Sequence, residues 1–528
     1  MPHFEYLFVM KNLISIVACL LLATVLHGQP LTTAQIDQLA DRALKTFDVP
    51  GMSIAIIKDG KVVHAKGYGL RSLKTKQPVN EHTLFGIASN SKAYTSAALA
   101  MLMEEGKLTW DDPVMNYVPE FRLYSPYVSD AFTIRDLLTH RSGLGLGAGD
   151  LMFWPDSNDF NIKDMIHNLR YLKQVGGFRA KYDYDNLLYA VAGEIISRVS
   201  GMSWEEFIER RIMQPLGMTE SAAGYERLKD YSNTIDPHAP VNGKVQVISR
   251  SFSKIANAAG GIYSNVTDQS KWIILQLNGG RYGDDLSKRL FSDASQKEMW
   301  SSQTIRPMSN GPTDKIYHTH FSTYGLGWGL SDVAGYKQVS HSGGLGGNVT
   351  LTTLFPELKL GILVYTNQQS GAAMGAVTNQ IKDGYLNIKG NDWIKTFREM
   401  EVNNQMAADK ITSDVTKEIE AAKAAGPKDL SAFAGTYHDN WFGDVILNWT
   451  GGKLSFASKR SPRLSGEMFF YKGNTLIVRW KDRSFDADAF ANFTTDNDGK
   501  PSGFKMKAIS PLTDFSFDFH DLDLVRMK

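Results

Sequence analysis

Behind a serine and a lysine three residues apart, Ser89 and Lys92, the chain reads "AYTSAALAMLM", apolar at nearly every position. A helix that is apolar all round belongs inside a fold rather than on its surface. Gly106, after Glu104 and Glu105, is its expected stop. Upstream, "GMSIAIIKDGKVVHAKGYG" reads as two strands joined at Asp59-Gly60, a strong hairpin signal. "NVTLTTLF" and "LKLGILVYTN" supply two more strands near residue 360, with helical patterns between the two ends. Strands at both ends of a helical region predict an α/β (α+β) sandwich whose first and last strands share one sheet.

The 528 residues carry 57 Lys+Arg against 56 Asp+Glu, a formal net charge of +1. That balance gives no support to nucleic acid or an anionic membrane as the main partner. Apolar residues make up 43% of the chain, enough for a real core. "LISIVACLLLATVL" follows Lys11 and is too short for a membrane span, which needs about 20 apolar residues. It fits a secretory signal over residues 1–28, starting at Met1 or Met10, and so a periplasmic or secreted protein with no stable membrane span after cleavage. The single cysteine, Cys19, lies in that run, where "IVAC" also resembles a lipoprotein processing site. A mature chain without cysteine has neither disulfides nor thiol catalysis.

Residues 29–388 are predicted to form the main domain. Residues 389–428, charged, rich in Ala and closed by Gly426-Pro427, predict a helical linker. Residues 429–528 alternate with period two in "VILNW", "KLSF", "TLIVRW", "GFKMKAI" and "DFSFDF", which predicts a small antiparallel β domain, barrel-like in form.

On a helix, Ser89 and Lys92 share a face. A lysine desolvated by apolar neighbours has a lowered pKa and can take the serine proton. The same spacing recurs at Ser251/Lys254 and Ser502/Lys505, so a polar start to a buried helix is the competing reading; only the Ser89 copy has the apolar helix behind it. Tyr184 and Asn186 precede a second apolar helix, where a phenol can relay a proton and an amide can hold a lysine or a carbonyl. Tyr-x-Asn recurs four times, and a tyrosine cap is the plainer account in isolation. His341-Ser342-Gly343 closes a predicted strand and leads with Gly344 into a Gly-rich turn, where a backbone N–H can approach a substrate oxygen, or where a loose hairpin simply exposes a histidine. His318 and His320 form an HxH pair with no HExxH or acidic cluster beside it, which reads as a solvated strand; no metal or other cofactor is expected.

Taken in order, these three elements resemble the serine β-lactamase and penicillin-binding-protein superfamily, in its class C-like branch. "FTIRDLLTHRSGLG", "PLGMTES", "AAGGIYSNVTD", "YGLGW" and "LVYTNQ" extend the resemblance over residues 34–385, and the C-terminal segment is similar to a β-barrel-like accessory domain of that group. The resemblance implies Ser89 as acyl-accepting nucleophile, Lys92 as its base and Tyr184 as proton relay. It further implies Asn186 as orienter, the N–H groups of Ser89 and Gly344 as oxyanion hole, and His341 at the substrate-lined sheet edge with Ser342 and Gly343. A β-lactamase of this branch carries lysine where His341 stands, and a largely neutral histidine attracts a substrate carboxylate less. The implied function is an exported serine hydrolase cleaving a peptide amide, of D-amino-acid or muropeptide type, or an ester. A β-lactamase is the alternative within the class, and a catalytically silent penicillin-binding sensor the alternative outside it.

Overall fold

A computed structural model describes residues 30–528; the expected signal segment and Cys19 lie outside the described residues. Residues 51–366 contribute an eight-stranded antiparallel sheet. Its strands are β1 (Gly51–Lys58), β2 (Lys61–Gly69), β3 (Thr304–Ile305), β4 (Ser322–Tyr324), β5 (Gly329–Val333), β6 (Tyr336–Leu345), β7 (Asn348–Phe355) and β8 (Leu360–Thr366). Their order in the sheet is β2-β1-β8-β7-β6-β5-β4-β3. As expected, the first strand and the last are neighbours: β1 pairs with β8 from Met52 opposite Thr366 to Lys58 opposite Leu360. At the β1–β2 hairpin both Asp59 (φ 51°) and Gly60 (φ 75°) are left-handed, the conformation a tight two-residue turn demands.

Side chains alternate across these central strands, so each feeds two cores. Met52, Ile54 and Ile56 pack with Ile362 and Val364 against α1 (Thr33–Thr46) and α5 (Gly371–Leu386) on one face. Ala55, Ile57, Leu363 and Tyr365 face the larger core, which holds α2 (Ser91–Glu104), α3 (Leu187–Ser200) and α4 (Val266–Leu277). Helix α2 is buried from Ser91 through Leu102, as its all-round apolar pattern requires, and Gly106 beyond its end has φ 72°.

Helix α6 (Trp393–Ala424) begins with Trp393 packed in the α1/α5 layer and ends with Val415 and Ile419 against Ile477 and Ile509 of the C-terminal domain. That domain is a closed eight-stranded antiparallel barrel from Gly435 to Arg526. Two local expectations fail. "DFSFDF" has strand periodicity, but residues 514–518 form turns and bends and Phe519 opens a short 3-10 turn; Phe517 and Phe519 are buried, whereas Phe515 and Ser516 leave the barrel for the main domain. Tertiary contacts override the alternating pattern there. His318 and His320 lie after the short helix Pro312–Ile316 rather than on a strand, and His320 pairs with Asp332 at 3.0 Å. Among the described residues, no helix is long and apolar enough to cross a membrane.

Candidate active site

Ser89 occupies the 3-10 turn Ala88–Asn90 that runs directly into α2. Backbone N–H groups at a helix start lack intrahelical partners and favour developing negative charge. Ala88, just before it, holds φ 49°, an uncommon conformation for a residue with a side chain. β6 lies hard against this turn: a Cβ on Gly343 would come within 2.3 Å of the Ile87 carbonyl oxygen. Glycine is what lets the strand approach so closely.

Lys92, one turn along and fully buried, has its Nζ 3.0 Å from Ser89 Oγ, 2.7 Å from Asn186 Oδ1 and 2.9 Å from the Ala259 carbonyl. Burial pushes its amine down to about 7, against the opposing pull of Asp150 and Asp185. A neutral amine has two N–H donors and one lone pair. Asn186 Oδ1 and the Ala259 carbonyl accept the two donors, which leaves the lone pair for the Ser89 hydroxyl proton. The site therefore holds an amine whose free valence faces a serine, the requirement for a general base.

Tyr184 comes from the segment before α3, with Lys92 Nζ 4.8 Å from its ring centroid. Burial holds its phenol protonated, well above the ordinary tyrosine value, and Ser89 is the neighbour that most opposes this. Asn186, the residue before α3, donates Nδ2–H to Asp150 Oδ2 at 2.8 Å, and Ser516 of the C-terminal domain donates to the same oxygen at 2.8 Å. Asp150 is itself fully buried. A chain of contacts thus runs from the barrel through Ser516, Asp150 and Asn186 to Lys92. Replacing Asp150 with alanine is expected to lower kcat about 10²-fold by releasing Asn186, since a misplacement near 1 Å has that effect. Asp150→Asn keeps an acceptor oxygen and is expected to retain most activity; steady-state kinetics on both variants checks this.

His341 and Tyr184 line one cavity of about 390 Å³ with Ser89, Asn186, Ser342 and Gly344. β5 pairs with β6 only as far as Ser340, so from His341 to Gly344 that side of β6 is an open sheet edge, and the turn follows at Gly346-Gly347. Gly343 is not on the cavity wall; it packs beneath, against the turn that carries Ser89. Ser342 and Gly344 occupy the alternate strand positions and are exposed. His341 Nδ1 lies 2.6 Å from the Ser342 carbonyl, so Nδ1 carries the proton, and Nε2 accepts from the Tyr324 hydroxyl at 2.8 Å. Burial pushes His341 down to about 3, so it supplies no positive charge at neutral pH.

Several further residues complete the site. Fully buried His140 accepts from the Asp185 N–H at Nδ1 and packs at a tilt of 33° against Tyr184, 4.2 Å between centroids. Arg306 lines the cavity and sits over the Tyr182 ring at 5.3 Å, with no carboxylate partner among the described residues. Phe153 and Trp154, which the sequence alone leaves as cleft-lining or packed on a neighbour, both line the cavity, and Trp154 also meets Phe517 edge-on at 6.3 Å. Phe515 lines the cavity beside Tyr184, edge-on to it at 5.7 Å. The two decoys lie elsewhere: Ser251 hydrogen-bonds Asp156, and Ser502 and Lys505 stand on a barrel strand.

The family model described as Beta-lactamase matches residues 36–385, and a domain of unknown function, DUF3471, matches residues 420–526. "Unguisins hydrolase ungD'" of Aspergillus campestris (strain IBT 28561) is 26% identical over 504 residues, 90% of this chain and 89% of that protein. The octameric penicillin-binding protein homologue from Pyrococcus abyssi superposes with a TM-score of 0.59 at 22% identity, covering 94% of this chain and 100% of that one. A class C beta-lactamase superposes with a TM-score of 0.53 at 21% identity, over 67% of this chain and 96% of that one. Matched by the family model over more than half its length, and folded like penicillin-binding proteins and class C β-lactamases, the chain belongs to the Beta-lactamase family and is a serine hydrolase.

Proposed function

We propose that the protein cleaves a peptide amide or an ester through an acyl-enzyme on Ser89. The observation that carries this reading is the buried Lys92 amine, pushed down to about 7 and 3.0 Å from Ser89 Oγ. Lys92 takes the hydroxyl proton as Oγ attacks the carbonyl carbon. N–H groups at Ser89 and Gly344 receive the oxyanion, and Tyr184 passes the proton to the departing amine or alkoxide. Water then attacks the acyl carbon, and the proton it loses returns through the same groups, restoring Ser89. The pH dependence follows from the base. Below about 7 the amine is an ammonium with no lone pair, so kcat/KM is expected to rise tenfold per pH unit up to that point and level off above it. A flat profile from pH 5 to 9 would remove Lys92 from this role.

The absence of a cation at His341 favours peptides and esters over penicillins and cephalosporins. What positive charge the cleft offers comes from Arg306, which stands near Ser340 on the His341 side and helps to hold that histidine neutral. For substrates ending in a carboxylate, Arg306→Ala is expected to raise KM about tenfold with kcat nearly unchanged, because a charge-assisted hydrogen bond is worth roughly 1.5–3 kcal/mol. The amide of the same substrate should show no such change. The relative named unguisins hydrolase lends support to a hydrolytic rather than a sensing role. Turnover on D-amino-acid amides, short acyl esters and nitrocefin tests the reading directly. Amide or ester turnover well above nitrocefin turnover supports it, and nitrocefin as the best substrate favours the β-lactamase alternative.

A further inference from the structure

We propose that Asp518, His520 and Asp521, on the segment that joins the barrel to the active-site wall, form a divalent-metal site that takes Zn²⁺. One ligand atom from each of the three residues lies within 4.8 Å of the others. His520 Nε2 and Asp518 Oδ1 are 3.4 Å apart, close to the edge of a tetrahedron whose ligands stand about 2.0–2.1 Å from zinc. A donor set of two carboxylates and one imidazole, completed by water, suits zinc.

Burial supplies the second, independent observation. Asp518 is fully buried and Asp521 is 5% exposed, yet Asp518 Oδ1 and Asp521 Oδ2 each lack a hydrogen-bond partner. Buried carboxylate oxygens without a partner are costly, and adjacent ones more so. The other Asp518 oxygen accepts from the Gly149 N–H, so it is oriented by the main domain while Oδ1 is turned toward His520. Asp523, two residues on, already has Lys173 as its partner, and that lysine forms no ion pair with Asp518 or Asp521. His520 is half exposed, which gives an ion a path from solvent.

The position gives the site a purpose. Gly149 directly precedes Asp150, which holds Asn186, and Ser516 reaches the same Asp150 oxygen. An ion on Asp518, His520 and Asp521 would pin the barrel segment to the loop that orients the Lys92 environment. Nothing in this assignment requires the acyl-enzyme reading, so either can fail alone.

The test is a zinc titration of tag-free protein spanning both domains, stripped with a chelator and followed by competition with a chromophoric chelator and by thermal unfolding. The wild type is expected to retain one Zn²⁺ after gel filtration and to melt at a higher temperature with it. His520→Ala, lacking one of the three protein ligands, is expected to weaken zinc at least about a hundredfold, to retain none after gel filtration and to show a much smaller rise in Tm. Asp518→Asn and Asp521→Asn should behave likewise; if either fails to fold, His520→Ala decides, because that half-exposed ring makes no hydrogen bond. His320→Ala, remote from the cluster, should bind as wild type does. A wild type that retains no zinc, or a His520→Ala protein that holds zinc as tightly as wild type, would overturn the assignment.

Discussion

Ser89→Ala is expected to lower kcat/KM by about 10⁵–10⁶-fold, the scale on which a serine hydrolase fails without its nucleophile. The fold should survive the change. Ser89 is part of the cavity wall, and its side chain's polar neighbours are Lys92 and Tyr184. Losing a hydrogen bond to such a neighbour costs about 1 kcal/mol, and nothing on the apolar faces of α2 is disturbed. A large loss of rate with an almost unchanged melting temperature would therefore place the chemistry on Oγ. Residual activity near wild-type would move it elsewhere.

Lys92→Met is expected to cost about 10⁴-fold in kcat, the upper range for removing a positioned base. Methionine fills similar volume in the buried site, so a cavity is avoided. It leaves Asn186 Oδ1 and the Ala259 carbonyl without their shared donor, at about 1–3 kcal/mol for an unmet buried group. Lys92→Arg separates the two roles a lysine can play. Arginine keeps the positive charge but does not deprotonate in proteins. If Lys92 acts as a base, the arginine variant is as inactive as the methionine one. If it acts only as a cation, arginine retains substantial rate.

What could be read from sequence was local. Ser89 and Lys92 stand three apart on a helix whose apolar pattern announces its burial, so their meeting needs no knowledge of the rest of the fold. Asp59-Gly60 announces its own turn, and the period-two strands of the C-terminal domain announce a sheet. The resemblance to a known family then ordered Tyr184, Asn186 and His341 around them.

What escaped was set by long-range packing. Asp150 holds Asn186 from 36 residues away, and Ser516 reaches Asp150 from 366 residues away. Neither is marked by any spacing. Arg306 enters the cleft from the far strand of the sheet, where one arginine among many gives no signal. "DFSFDF" shows the opposite failure, a clear pattern with the wrong outcome. Its phenylalanines do alternate, but Phe517 and Phe519 are buried while Phe515 reaches the cleft of the main domain. The expectation that His341 is largely neutral at the substrate edge agrees with the structure, but what fixes it there is not legible in sequence. Its hydrogen bonds to the Ser342 carbonyl and Tyr324 make it a neutral, fixed part of the wall.

The proposed chemistry stands or falls on acylation of Ser89 Oγ. Intact-mass and peptide-mapping mass spectrometry after treatment with a fluorophosphonate tests it most directly. A single adduct is expected on the peptide containing Ser89, absent from Ser89→Ala and formed far more slowly in Lys92→Met. An unmodified wild-type protein, or an adduct on Ser251, Ser502 or any other residue that persists in Ser89→Ala, would contradict it.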